Sequence, residues 1–215
     1  LDAALASTQG WKGESLLVFY YSGHSDDHAL YPSGRPLALD ALKARLERGA
    51  ATVRLGIIDA CRGGGWTQTK GLIPGQPFPV AEALTLSSQG TVLISSSSGL
   101  ENAHESEALG GSFFTHHLIA GLRGAADRTD DGEVTVAEAF AYAQELTVRD
   151  TSIATAMPQH PSYQLNIKGQ RDLALTWVRD AKSTLTLVQT EGPLQVVRLP
   201  TGQLMAELPS GPRSA

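Results

Sequence analysis

Ser15-Leu16-Leu17-Val18-Phe19-Tyr20-Tyr21 is an unbroken apolar run, rich in aromatic and β-branched residues, that ends in Ser22-Gly23-His24. Continuous rather than alternating apolarity predicts a strand buried on both faces, as in a parallel sheet. Thr52-Val53-Arg54-Leu55-Gly56-Ile57-Ile58 is a second such run, followed by Asp59-Ala60-Cys61-Arg62-Gly63, and Gly90-Thr91-Val92-Leu93-Ile94-Ser95 is a third. Between the first two, Leu39 to Arg48 carries Leu39, Leu42 and Leu46 at spacings of three and four, with Asp40 near its start and Gly49 just past its end. That punctuation predicts a helix. Strand, helix, strand, strand predicts an α/β sandwich with a mostly parallel sheet.

Working outward, Ser112 to Leu122 predicts a helix stopped by Gly124, and Thr135 to Val148 predicts another. Pro158 and Pro161 break the helical pattern, after which Ser162–Ile167 and Asp172–Val178 read as strands. Beyond Asp180, Leu185, Leu187, Val188 and Val196-Val197-Arg198-Leu199 alternate with Gly and Pro turns, the start of a small β-module. The expected organisation is one domain over residues 1–180 and a partial β-rich appendage or linker over 181–215.

Composition narrows the function classes. Of 215 residues, 41% are hydrophobic and 18% charged, which marks a globular chain rather than a disordered one. The balance of 17 basic against 22 acidic residues, a net charge of −5, removes the electrostatic case for nucleic acid or an anionic membrane as main partner. Leu16–Tyr21, the longest uncharged apolar stretch, is too short to span a bilayer. Leu1-Asp2-Ala3 has no signal-peptide pattern, and the two methionines are Met157 and Met205. The expectation is a piece of a longer polypeptide with further domains, soluble, in the cytoplasm or exported. The single Cys61 excludes an internal disulfide framework and a cysteine-rich zinc site.

Chemistry gathers at the ends of the first two strands. In open α/β sheets ligands collect at the carboxyl ends of strands, and there the sequence sets His24 after one run and Cys61 after the next. Neighbouring strands lie about 5 Å apart, so an imidazole and a thiol placed this way meet across a substrate. The thiolate is the nucleophile, and the imidazole takes its proton or holds it ionised and later protonates the leaving amine. The alternative is a structural histidine and a packed cysteine.

Tyr21-Ser22-Gly23-His24 together with Asp59-Ala60-Cys61-Arg62-Gly63 resembles the caspase-like cysteine peptidases, including metacaspases and their bacterial relatives. The caspase signature Q-A-C-[RQG]-G, with a His about 50 residues upstream, matches at four of its five positions. Ile94 to Ser98, Glu101-Asn102-Ala103, Glu105-Ser106, Gly110 to Thr115, Ala126-Asp127, Asp131-Gly132 and Gln159-His160-Pro161 are similar to later parts of bacterial caspase-like domains. The resemblance covers Leu1 to Thr176 and implies a three-layer α/β/α sandwich that begins after its first strand.

It further implies Cys61 as nucleophile, His24 as general acid/base, and an oxyanion hole from the backbone N–H groups of Cys61 and Ser25. Ser25 stands where Gly is usual; the N–H survives the change. Aspartate-specific caspases carry Gln at the position of Asp59, whereas metacaspases carry an Asp that lines the primary pocket and favours Arg or Lys before the cut. A simpler role for Asp59 is to cap a nearby backbone turn. The resemblance implies a protein or peptide substrate and no cofactor. A basic preference makes Lys70, in the Gly/Thr-rich run after Cys61, a candidate self-processing site, while the plainer role of that run is a flexible wall of the pocket. A caspase-like scaffold without catalysis and a thiol hydrolase of another acyl group remain open alternatives.

Asp127-Arg128-Thr129-Asp130-Asp131-Gly132 through Glu138 fits an EF-hand loop at several positions, making Asp127, Asp131 and Glu138 weak calcium candidates. Thr at the third position argues for a plain acidic turn before a helix, and no metal is expected. Asp26, Asp27, His28, His104 and Glu105 read as solvated loop residues, and His116-His117 as helix neighbours that point apart.

Overall fold

The computed structural model describes residues 1–11, 13–60, 89–98, 101, 103–106, 109, 111–155, 157–168, 172–178, 194–198 and 203–208. Cys61, Lys70 and most of 181–215 lie outside the described residues. In chain order the elements are α1 (Asp2–Ala6), β1 (Leu16–Gly23), β2 (Ala29–Leu30), β3 (Leu37–Ala38), α2 (Leu39–Glu47), β4 (Val53–Ala60), β5 (Gln89–Ser95), β6 (Glu105–Ser106) and β7 (Gly111–Ser112). There follow α3 (Phe113–Ala120), β8 (Glu133–Thr135), α4 (Val136–Ala154), β9 (Ser162–Lys168), β10 (Ala174–Trp177), β11 (Leu194–Arg198) and β12 (Gln203–Leu208).

The main sheet runs β1-β4-β5-β9. β1, β4 and β5 are parallel and β9 returns antiparallel to β5, so the sheet is mixed but mostly parallel. Alternation across β4 builds two cores. Val53, Leu55 and Ile57 face Phe114 and Leu118 of α3 and Phe140 and Leu146 of α4. Ile58 and Ala60 face the other way, into Leu39, Leu42 and Leu46 of α2 and Leu30 of β2. The leucine spacing of α2 therefore does what it predicts, and the three layers are helix, sheet, helix.

β1 departs from the sequence expectation of burial on both faces. Leu17, Phe19 and Tyr21 are half-buried against the α2 core, but Leu16, Val18 and Tyr20 are 38%, 52% and 47% exposed. Among the described residues β1 pairs only with β4, and the face that carries Leu16, Val18 and Tyr20 is left uncovered there. Continuous burial belongs to β4, whose residues are all buried except Arg54.

Helix ends follow local chemistry. Ser112 caps α3, its hydroxyl accepting from the Thr115 N–H, and the chain leaves the helical path at Gly124, whose φ of 115° suits glycine. Thr135 and Glu138 form a reciprocal capping box at the start of α4. That helix runs on to Ala154, past the expected Val148, because no breaker intervenes before Pro158 and Thr151 is buried. β10 pairs with β8 rather than joining the main sheet, and β11 and β12 form an antiparallel hairpin. No described helix is long and apolar enough to cross a membrane.

α3 and α4 also share a polar contact. The buried His117 imidazole lies 2.9 Å from Asp150, bent away from a straight hydrogen bond, and Arg149 sits 2.6 Å from the same carboxylate. Burial works against the charge on Asp150, but the His117 ring and the Arg149 guanidinium outweigh it and hold its pKa below the ordinary value. A depressed carboxyl pKa stabilises the fold above the unfolded value of about 4 and ceases to do so as pH falls through the folded value. Asp150→Asn is expected to melt below the wild type at pH 7, with the gap closing as the pH drops below about 4. Thermal unfolding of both proteins across that range measures it; a gap unchanged by pH would refute the linkage.

Candidate active site

The register of β1 on β4 runs without a slip from Leu16↔Val53 to Ser22↔Asp59 and Gly23↔Ala60. The next residue on one side is His24, exposed at the carboxyl edge of the sheet. On the other side the next residue in sequence is Cys61, outside the described residues.

Two donors pin the backbone of His24. Its carbonyl accepts from the Tyr21 hydroxyl at 2.8 Å and from the Tyr31 N–H at 3.0 Å. Ser25 bridges Leu30 in antiparallel fashion, and the two hydrogen bonds of that bridge run between flanking residues, Tyr31 N–H to His24 and Asp26 N–H to Ala29. The non-glycine residues with positive φ among those described are Ser33 and Asp130, so Ser25 needs none of the freedom a glycine would bring. Asp26 closes the turn: one carboxylate oxygen accepts from the His28 and Ala29 N–H groups, both at 2.8 Å, and the other from the Tyr31 hydroxyl at 2.5 Å. The Tyr31 hydrogen bond, then the two backbone donors, hold the Asp26 pKa below its ordinary value.

Asp59 is only 4% exposed. Its Oδ2 accepts from the hydroxyls of Ser112 and Thr115, and Thr115 Oγ1 lies 2.9 Å from the Tyr20 hydroxyl. Its described partners are thus side chains of the α3 N-terminus, not a backbone turn. Oδ1 is shielded from solvent and has no hydrogen-bond partner among the described residues. A buried polar atom left this way costs about 1–3 kcal/mol, more when the group is charged.

The end of β5 supports the neighbouring strand. The Ser97 hydroxyl donates to the Ala60 carbonyl at 3.1 Å, and the Ser96 N–H to Ile58 at 2.9 Å. Gln159, fully buried, donates to the Ser96 carbonyl at 2.6 Å and accepts from the His104 N–H at 2.8 Å. Beside it, Glu101 accepts from the backbone N–H of His160 and contacts its Nδ1, both at 2.8 Å.

The acidic turn before α4 is occupied by its own hydrogen bonds. Asp127 accepts from the Gly132 N–H at 3.0 Å and Asp131 from the Glu133 N–H at 2.8 Å. Glu138 accepts from the backbone N–H and the hydroxyl of Thr135 and, at 3.3 Å, from the hydroxyl of Thr129. Among the described residues no group of three or more His, Cys, Asp or Glu is arranged to hold a metal ion. His104 turns instead to the Met157 carbonyl, 3.0 Å from its Nε2.

Sequence reasoning gave no role to Tyr21, Tyr31, Ser112, Thr115 and Gln159, although all but Tyr31 lie in the segments that carry the resemblance. Ser112 also carried a local signal, a serine just before a helical run.

An exposed histidine at the end of one parallel strand and a buried aspartate near the end of its neighbour thus stand together at the carboxyl edge of a mostly parallel α/β sheet. The chain matches the model of the caspase domain over residues 1–168 and belongs to that family of cysteine peptidases. Among solved structures it is similar to caspase-1 from Spodoptera frugiperda, with a TM-score of 0.53 and 15% identity, over 83% of this chain and 71% of that one. At that identity the likeness is one of fold. No curated protein sequence matches the chain.

Gly23 tests the anchoring of His24. Its φ is 154°, and a Cβ there would lie 2.9 Å from the Tyr21 hydroxyl that holds the His24 carbonyl. Gly23→Ala is expected to destabilise by about 1–3 kcal/mol through its positive φ, with only the smaller part due to the hydroxyl contact relieved in a Tyr21→Phe background, since the ring Cζ stays 3.1 Å from the added Cβ. Urea unfolding of the four proteins of this cycle measures the coupling; strict additivity would show that the two residues act separately.

Proposed function

We propose that this caspase-family domain is a cysteine endopeptidase that uses Cys61 as nucleophile and His24 as acid–base group, and that it cleaves after Arg or Lys. The observation that carries the reading is the unbroken β1–β4 register, which ends at Gly23↔Ala60 with His24 and Cys61 as the residues that follow. In the proposed reaction the Cys61 sulfur attacks the scissile carbonyl carbon while His24 carries the thiol proton. The backbone N–H groups of Cys61 and Ser25 receive the negative oxygen of the tetrahedral intermediate. The C–N bond then breaks, His24 protonates the departing amine, and an acyl-enzyme thioester remains. Water attacks that ester, His24 takes its proton, and the thiolate leaves. No cofactor enters this cycle.

Specificity rests on Asp59. Ser22 pairs with it across the strands, which puts the two side chains on one face of the sheet at its carboxyl end. The unpartnered Oδ1 supports a pocket that binds cations, since a substrate ammonium or guanidinium relieves the cost of the lone buried oxygen. An Asp side chain there would set like charges together. The departure from the Gln of aspartate-specific caspases points the same way.

Cys61→Ala and His24→Ala are each expected to lower kcat by several powers of ten, with the double variant little worse than either single one. Near-normal turnover by Cys61→Ala would remove the mechanism. Positional-scanning peptides should show cleavage after Arg and Lys in the wild type, and loss of that preference in Asp59→Asn, which keeps the shape and acceptor but not the charge. Mass spectrometry should also find a cut between Lys70 and Gly71 in the wild type and none in Cys61→Ala; an intact wild-type chain would end the self-processing proposal.

A further inference from the structure

The hydroxyl protons around Asp59 can be assigned one by one. Thr115 has a single hydroxyl proton, and it goes to Asp59 Oδ2 at 2.5 Å. The contact of 2.9 Å between Thr115 Oγ1 and the Tyr20 hydroxyl must then have Tyr20 as donor. Ser112 Oγ accepts from the Thr115 N–H at 3.1 Å, which leaves its own proton for Oδ2 as well. A carboxylate offers about two acceptor sites on each oxygen. Both sites of Oδ2 are therefore filled from within the protein, and both sites of Oδ1 are empty among the described residues.

We infer that Ser112 and Thr115 turn Asp59 into a one-oxygen acceptor, so that the side chain before the cut is held end-on through Oδ1 and lysine is taken about as well as arginine. The inference rests on Asp59 forming the base of the primary pocket, as proposed above. Arginine outperforms lysine at a carboxylate when its planar fork engages both oxygens in two parallel hydrogen bonds. Here the second oxygen is already saturated. An ammonium, being a point charge with rotatable donors, loses nothing by meeting one oxygen only. Ser112 and Thr115 are thus positioning residues: they do not touch the substrate, and they decide which geometry of cation fits.

The experiment compares kcat/KM for two peptides that differ only in Arg or Lys before the cut. For the wild type the two values should agree within about threefold, because the fork has no second oxygen to use. Thr115→Val keeps the shape, removes one donor and reopens a site on Oδ2, and should raise the Arg-to-Lys ratio about tenfold, mainly through KM for the Arg peptide. Thr115→Ser restores the donor and should restore the ratio; a merely structural role for Thr115 would move both peptides together. Thr115→Ala serves the same purpose if the valine variant does not fold, and the wild-type ratio needs no variant at all. A wild type more than about thirtyfold selective for Arg, or a ratio unmoved by Thr115→Val, overturns the inference while leaving Asp59 in the pocket. A basic preference that survives Asp59→Asn overturns the pocket assignment itself, and this inference with it.

Discussion

Parallel pairing of β1 with β4 is the constraint on which the rest of the site depends. A slip of one residue would carry Leu17, Phe19 and Tyr21 off the α2 core and turn Leu16, Val18 and Tyr20 into it. The same slip would separate Ser22 from Asp59 and break the reach of Tyr20 to Thr115. Core packing on one face and a polar contact on the other thus fix the same register. The chemistry at the edge inherits that precision because His24 follows the last paired residue directly, with its carbonyl held by Tyr21 and Tyr31.

Two carboxylates near this edge are handled in opposite ways. Asp26 is spent on its own loop, with both oxygens filled by donors from residues two to five positions ahead. Asp59 is held through a single oxygen by donors far away in the chain, and its other oxygen has no partner among the described residues. The first arrangement shapes backbone. The second leaves an unmet electrostatic demand beside the edge where His24 stands.

Much of this was legible in the sequence where local pattern and burial coincide. The leucines of α2, the Val and Ile runs of β4 and β5, and Ser112 ahead of two phenylalanines each announce their element. The exposure of one face of β1 was not legible, because an apolar run reads the same whether or not another layer covers it. Nor was the antiparallel return of β9, since strand direction is set by the path of the chain rather than by residue type. The site divides along the same line. His24 and Cys61 stand out as residue types beside glycines. The donors to Asp59 do not, for they lie 53 and 56 residues downstream and are ordinary hydroxyl residues until the fold delivers them.

The buried amide of Gln159 has a consequence for the order in which the domain completes itself. The carbonyl it satisfies, that of Ser96, lies 63 residues earlier, and the His104 N–H that it accepts lies 55 residues earlier. A ribosome delivers His24, Cys61 and the whole of β5 long before it delivers residue 159. Until then the Ser96 carbonyl and the His104 N–H lack this partner, while Ser96 and Ser97 are already tied to Ile58 and Ala60 of β4. Bridging two segments already made, Gln159 acts as a late keystone, and a nascent chain cut short before it would lack the tie between the end of β5 and the His104 segment.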